Sequence, residues 1–413
     1  IVEPDGDFKQ VTGTGGTVAA YNPNTQQVST ANNDNDQFYV ANNGSGTFCV
    51  VFKYSNGADV VIGVDNGTSI TWGSEVTIGS GFVAQGATVY YDPDNDKFIA
   101  SYTGNNNTVR SRIISYSGTT ATASTESSTM SIDNTNVSVM ASAYDTTNNI
   151  GYVAMGKGLG RLFTVTVSGT TITQGPTSNQ FSGSSNSAQF FNMVYDNTNN
   201  IGYITYRNEA ISDYPYLQTY TVSGNTFTKG TETVIESTAA HNIVGVAEGS
   251  ADGKGVVVAW KNSSGVIRYI TPTFSGLTPT IGTVASVSSV PSSSLYWEGP
   301  QVVNYNPTSQ TFQISYQDTS SSKFDIITNS ATVSSGTLTW GTYKIVYATT
   351  GSQYYVVNEP TGKNANNVYI IQRRYNQSPY KIAGSLFGAA YNNATTNVTT
   401  ENYIGIAQET VST

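Results

Sequence analysis

Seven copies of a unit of about 53 residues, two turn markers running out of phase within it, and no helical spacing sustained over ten residues predict an all-β fold. The expected architecture is a seven-bladed β-propeller of four-stranded antiparallel blades. In the first marker an apolar strand ends in Tyr-Asp or Tyr-Asn, a polar turn follows, and an alternating strand then ends in an aromatic residue. It reads Tyr91-Asp92 through Phe98 to Tyr102, Tyr144-Asp145 through Ile150-Gly151-Tyr152, Tyr195-Asp196 through Ile201-Gly202-Tyr203 to Tyr206, and Tyr305-Asn306 through Phe312 to Tyr316. Weaker copies begin at Ala41-Asn42, Glu248-Gly249 and Asn358-Glu359. In the second marker a Gly opens a short polar pair, followed by an apolar residue, Thr and often a second Gly. Its opening residues are Gly67, Gly118, Gly169, Gly224, Gly276, Gly336 and Gly384, at intervals of 51, 51, 55, 52, 60 and 48 residues.

Each unit supplies four short strands. In the copy around residue 195, Tyr195 closes the first strand and Asn197 to Asn200 make the turn. Ile201 to Tyr206 form the second strand, Leu217 to Val222 the third and Thr226 to Ile235 the fourth. Asp, Asn, Pro and Gly stand where hairpins need turn or left-handed backbone angles. One four-stranded sheet cannot cover both of its faces, whereas sheets packed radially bury them against neighbours. A stacked solenoid or tandem sandwiches built from the same hairpins is the competing arrangement. Residues 38–390 hold the units. Residues 1–37, with Val11 to Tyr21 as the strand candidate, are expected to complete the last blade, and 391–413 to form a closing strand or a linker to a further domain. The opening at Ile1 rather than Met is expected of a processed form or a fragment.

Composition narrows the function. Charged residues are 11% of the chain, against roughly 25% in ordinary globular proteins, and Ser, Thr, Asn and 40 Gly fill the deficit. A net charge of −9, with 18 Lys and Arg, argues against nucleic acid, which needs clustered cations to neutralise phosphates. No apolar stretch approaches a membrane span. The single His241 and single Cys49 leave no material for zinc sites, Ser-His-Asp triads or Cys-His pairs. Cys49 sits in Phe48-Cys49-Val50-Val51-Phe52, the setting of a small buried hydrophobe.

Candidate sites are few. Asp92, Asp94 and Asp96 alternate in one turn and could offer three oxygens to Ca²⁺, the plainer reading being a hairpin turn. No other cofactor is expected. Tyr296-Trp297-Glu298 has no counterpart in other units, and an exposed Tyr-Trp-Glu could stack on a sugar ring, the plainer reading being the start of a buried strand. Trp72, Trp340 and Trp260 recur at repeat positions and read as packing. Arg110, Arg112, Arg161, Arg207, Arg268, Arg373 and Arg374 fall mostly just beyond the second strands, where convergence on one face would suit an acidic sugar. Their offsets differ too much to predict that convergence. A glycosidase would need paired carboxylates, and Glu209, Glu248, Glu298 and Glu359 are isolated in sequence.

The pattern Val-x-Tyr-Asp-Pro-Asp-x-Asp-Lys-Phe-x-x-x-Tyr at Val89 to Tyr102, followed by Ser117-Gly118-Thr119-Thr120, resembles propeller repeats of tail fibre, tail tip and other virion structural proteins of marine bacteriophages. The segment Thr399 to Ala407 is similar to one that follows such repeats. The resemblance spans about residues 38 to 409 and implies a non-enzymatic structural protein of the virion. It implies other virion proteins as partners in an oligomeric assembly, a virion or extracellular location, and recognition of a host-surface glycan. It carries no catalytic residue. A carbohydrate-active propeller enzyme of sialidase or glycosidase type is the alternative, with a secreted bacterial lectin or adhesin beside it.

Overall fold

The computed structural model describes residues 26–27 and 38–387, except 55–56, 68, 81–85, 105–107, 128–129, 132–138, 157–159, 177–178, 182–187, 289, 291–294, 297–302, 319–325, 335–336, 348–352, 364–366 and 375–381. Seven antiparallel sheets of four or more strands follow one another along the described chain. Sheet 1 lies within residues 38–80, sheet 2 within 87–131, sheet 3 within 139–180, sheet 4 within 188–234, sheet 5 within 240–286, sheet 6 within 295–347 and sheet 7 within 353–387. Sheet 7 takes one more strand from the other end of the chain, with Gln26 opposite Gly384 and Gln27 opposite Ala383. The Val11 to Tyr21 candidate and residues 391–413 lie outside the described residues. The only helical elements among the described residues are single 3-10 turns at Glu209–Ile211 and Ser250–Asp252.

The first strand of each sheet lies against the first strand of the next, and Gln353–Pro360 of sheet 7 returns against Phe38–Asn42 of sheet 1. This closed ring is the propeller arrangement and excludes an open stack, whose ends would not meet. Apolar clusters fill the junctions. Val51, Val60 and Ile62 meet Val89, Phe98 and Tyr102 between sheets 1 and 2. Ile99 and Ile113 meet Val153 and Phe163 between sheets 2 and 3. Trp260, fully buried, packs with Leu217 and Tyr203 between sheets 4 and 5. Each fully buried side chain of this size contributes roughly 1.5–3 kcal/mol, so the junctions dominate the stability.

Sheet 4 shows the repeat in detail. Its strands are Ala188–Asp196, Ile201–Asn208, Tyr214–Ser223 and a fourth broken into Thr226–Lys229 and Thr233–Val234, both paired to the third. The continuous fourth strand expected from Thr226 to Ile235 is therefore split at Gly230. A Cβ there would stand 2.0 Å from the carbonyl oxygen of Leu277, in the turn of the next sheet. That explains the second glycine of the marker: it makes room for the neighbouring blade. The first glycine, as at Gly224, takes the left-handed angle of a two-residue turn, with φ 57°. In sheet 5, Pro272 interrupts the ladder, so Thr273–Ser275 and Thr278–Thr280 form a separate hairpin and Ala285–Ser286 closes the sheet.

The buried Cys49 thiol is pushed up by desolvation and is inert. Trp72 packs edge-on to Phe48 and Trp340 to Tyr269, the packing role expected for both.

Candidate functional site

Strand direction gives the ring two ends. The turns joining first and second strands share one, here the aspartate end. Asp92, Asp145, Asp196 and Asn306 each close a first strand there, and each accepts from the backbone N–H groups two and three residues on. The turns finish on Asp96, Asn149, Asn200 and Gln310, all with φ of 49–57°. Neighbouring sheets are tied at this end: Asn43 donates to Tyr116, Tyr144 to Asp92, Thr146 to Asn197, Ser250 to Asp196, Tyr305 to Asp252, Asn306 to Asn367, and Thr361 to Asp65.

Those bonds decide how the Asp92, Asp94 and Asp96 turn is used. Asp92 accepts from its own turn and from Tyr144 at 2.9 Å, Asp94 accepts from Tyr144 at 3.0 Å, and Asp96 accepts from Tyr91 at 2.8 Å and from Tyr116. The oxygens brace the turn and the next blade instead of converging. Among the described residues no group of three or more His, Cys, Asp and Glu could hold a metal ion. This is the arrangement of a braced hairpin turn.

The Tyr296 backbone pairs with Gln317 in sheet 6, while Trp297 and Glu298 lie outside the described residues. Among the isolated acids, Glu209 pairs with Arg207 at 2.7 Å. Glu248 is lifted to about 7, chiefly by burial, with the charges of Asp196 and Asp252 adding to the rise. Glu359 is lifted to about 8 by burial, against an opposing 2.8 Å bond from Asn42. Glu248 and Glu359 stand on first strands of sheets 5 and 7, with sheet 6 between them.

The opposite end, where second strands finish and third strands start, carries the arginines. Arg110 and Arg112 meet Glu126 at 2.6 and 3.3 Å, and the Tyr102 hydroxyl donates to the same carboxylate at 2.7 Å. Burial raises Glu126, but the Tyr102 bond and the two arginine charges outweigh it and hold its carboxyl below the usual range. Arg268 donates to Glu236 at 2.9 Å, and Trp260 Nε1 donates to the second oxygen at 3.2 Å. Arg207 is bracketed by Glu209 and by Asp213 at 3.4 Å. The loop between them places Ser212 and Asp213 successively at φ 53° and 60°, a strained pair for residues other than glycine. Ile211 at its tip is exposed. Three guanidinium–carboxylate groups thus share one end of the ring, a convergence the spacing of the arginines did not predict. Of their acids, the sequence singles out Glu209, whereas Glu126, Asp213 and Glu236 carry no mark in the linear order.

No protein family and no curated protein matches the chain by sequence. Similarity to solved structures defines the class, a β-propeller. The BP39L lectin of Burkholderia pseudomallei aligns over 86% of this chain and 96% of its own, with TM-score 0.55 and 11% identity. A putative 6-phosphogluconolactonase of Bacteroides uniformis aligns over 75% and 87%, with TM-score 0.50 and 11% identity. Another from Bacteroides fragilis aligns over 75% and 84%, with TM-score 0.50 and 10% identity. At such identities the likeness is one of fold.

Proposed function

We propose that this chain is a non-enzymatic, carbohydrate-binding β-propeller of lectin type. The carrying observation is the arginine end, where three half-buried guanidinium–carboxylate groups stand on sheets 2, 4 and 5. A guanidinium only donates and a carboxylate only accepts, so the two side by side suit hydroxyls, which do both. Arg207 and Arg268 are neutralised by their own acids, Arg110 and Arg112 share Glu126, and the net charge of the chain is −9, which favours an uncharged glycan over an anionic one. The lectin among the structural neighbours supports the reading at the level of fold. The test is a glycan array probed with the whole chain, followed by Arg268→Ala and Arg110→Ala. Affinity for the bound glycan should fall about tenfold or more, the loss of one charged hydrogen bond. An array with no bound glycan, unchanged binding by both variants, or hydrolysis of the bound glycan would each defeat the proposal.

The repeat at Val89 to Tyr102 favours a more specific setting: a binder carried on a bacteriophage particle, as a tail fibre, tail tip or surface appendage subunit. Mass spectrometry of purified particles should then find the chain at a fixed ratio to a capsid protein. Finding it only in solution or on cells would leave a secreted lectin or adhesin.

A further inference from the structure

Among the described residues four large hydrophobic side chains are exposed: Ile211 at 46%, Val234 at 37%, Val266 at 39% and Tyr343 at 37%. A single exposed aliphatic group is ordinary on a protein surface, whereas several on adjoining pieces of chain mark a contact surface. The first three adjoin at the arginine end of sheets 4 and 5. Ile211 stands in the loop between the second and third strands of sheet 4, and Val266 in the corresponding turn of sheet 5. Val234 lies on the outermost strand of sheet 4, opposite Tyr216 near the start of the third strand.

Backbone hydrogen bonds hold these pieces side by side. Ala240 N donates to Asp213 O at 2.8 Å, and Ser263 N donates to Ala239 O at 2.8 Å. Ile235 N, next to Val234, donates to Pro215 O at 2.8 Å. Bonded neighbours lie roughly 5 Å apart, so the Ile211 loop and the Val266 turn flank Ala239 and Ala240 at a separation of roughly 10 Å. The same pieces carry the charged groups. Glu209 and Asp213 of the loop bracket Arg207, and Glu236, on the segment leading to Ala239, accepts from Arg268 and Trp260. Aliphatic and guanidinium–carboxylate groups therefore share one hydrogen-bonded platform.

The platform is ordered in advance. Asn208 Oδ1 accepts from Ala210 N at 3.1 Å, and the left-handed Ser212 and Asp213 follow. Such backbone angles persist only where the surroundings enforce them, here the bond from Ala240 and the pairing of Asp213 with Arg207. A loop already fixed loses little freedom on binding. Side-chain type then narrows the ligand. An aromatic ring would suit the flat face of a sugar, but Trp260, Tyr206 and Tyr216 at this end are buried. Ile211, Val234 and Val266 offer instead a seat for a methyl group, beside donors and acceptors for hydroxyls.

We infer that the arginine end of sheets 4 and 5 selects, among uncharged glycans, a sugar that carries a methyl group, as an N-acetyl or a 6-deoxy substituent, seated against Ile211, Val234 and Val266. The inference rests on the lectin reading and adds which glycan is taken.

The test titrates the whole chain by calorimetry with matched methyl glycosides: glucose against N-acetylglucosamine, galactose against N-acetylgalactosamine, and galactose against 6-deoxygalactose. The methyl-bearing member of at least one pair should bind about fourfold tighter or more, the worth of one buried methylene, and which pair responds tells acetyl from deoxy. Ile211→Thr and Val266→Thr, which keep the branched shape and replace a methyl by a hydroxyl, should bring that ratio toward one. Arg268→Ala should weaken both members of the pair alike. Thermal melting reports folding, and if one threonine variant does not fold the other decides. Glycans bound with no preference within any pair, or a preference undiminished in folded variants, would overturn the inference and leave the lectin reading standing. No binding by any glycan, on the array or here, would remove the lectin reading and the inference with it. Self-association of the chain in solution that Ile211→Thr abolishes would assign the aliphatic groups to a second copy and overturn the inference as well.

Discussion

Replacing Asp145 with Ala tests the idea that acids at the aspartate end are structural keystones. The carboxylate is completely buried and accepts from Thr147 N at 2.9 Å, Asn148 N at 3.0 Å, Asn148 Nδ2 at 2.8 Å and the Tyr152 hydroxyl at 2.6 Å. Alanine strands two backbone donors and a buried hydroxyl. At roughly 1–1.5 kcal/mol for each bond, and more for those to a charge, the expected loss is about 3–5 kcal/mol. Asp145→Asn should cost less, about 1–2 kcal/mol, because Asn306 serves the same turn as a neutral amide, accepting at 3.0 and 3.1 Å. The assay is equilibrium unfolding in urea, read as a midpoint shift at unchanged slope. Acid provides a second axis. Burial raises the Asp145 carboxyl, but its hydrogen bonds prevail and hold it below the ordinary 3.8. A depressed folded-state value means stabilisation that is present above 3.8 and lost as pH falls through the lower folded value. The gap between native and Asp145→Ala should therefore be constant at neutral pH and close in strong acid. A variant as stable as the native chain at pH 7, or an Asn variant weaker than Ala, would refute the reasoning.

Two further outcomes follow from the same geometry. Glu248 is the reverse case: its folded value of about 7 lies above the ordinary 4.5, so native stability should decline as pH rises from 4.5 to 7 and then level off. Glu248→Gln should remove that decline, matching the native melting temperature at pH 5 and exceeding it at pH 8; a parallel pH profile would exclude the effect. Gly202→Ala should cost about 2–3 kcal/mol by overpacking, because a Cβ there would stand 1.9 Å from the Tyr220 ring. Far-ultraviolet circular dichroism during thermal unfolding would show it, and an unchanged midpoint would contradict the packing described.

The Ile-Gly-Tyr segments illustrate how far the sequence could be read. Gly151 and Gly202 recur in register, so the repeat was visible, but the cause was not. A Cβ at Gly151 would meet Tyr90 of the previous sheet, and at Gly202 it would meet Tyr220 of its own, so the spacing is shared while the contact differs. The same limit applies to Asp92, Asp94 and Asp96: the hairpin is the plainer reading of their alternation, but the bonds from Tyr91, Tyr116 and Tyr144 that brace the turn are visible only in the structure.

What the sequence determined by itself was the unit: its period, its four strands and its turn residues. These are local properties, set by backbone angles within a few residues and by side chains alternating at period two. It also determined that imidazole and thiol chemistry have almost no material to work with. What only the tertiary structure decided was which faces meet. Alternation shows that Val51, Val60 and Ile62 lie on one sheet face, but only the packing of sheet 1 on sheet 2 turns that face toward Val89, Phe98 and Tyr102. Likewise the arginines reach one end because strand direction and register carry them there, whereas loops of unequal length obscure that in the linear order. Local chemistry is written along the chain; the chemistry of a site depends on contacts between residues dozens to hundreds of positions apart.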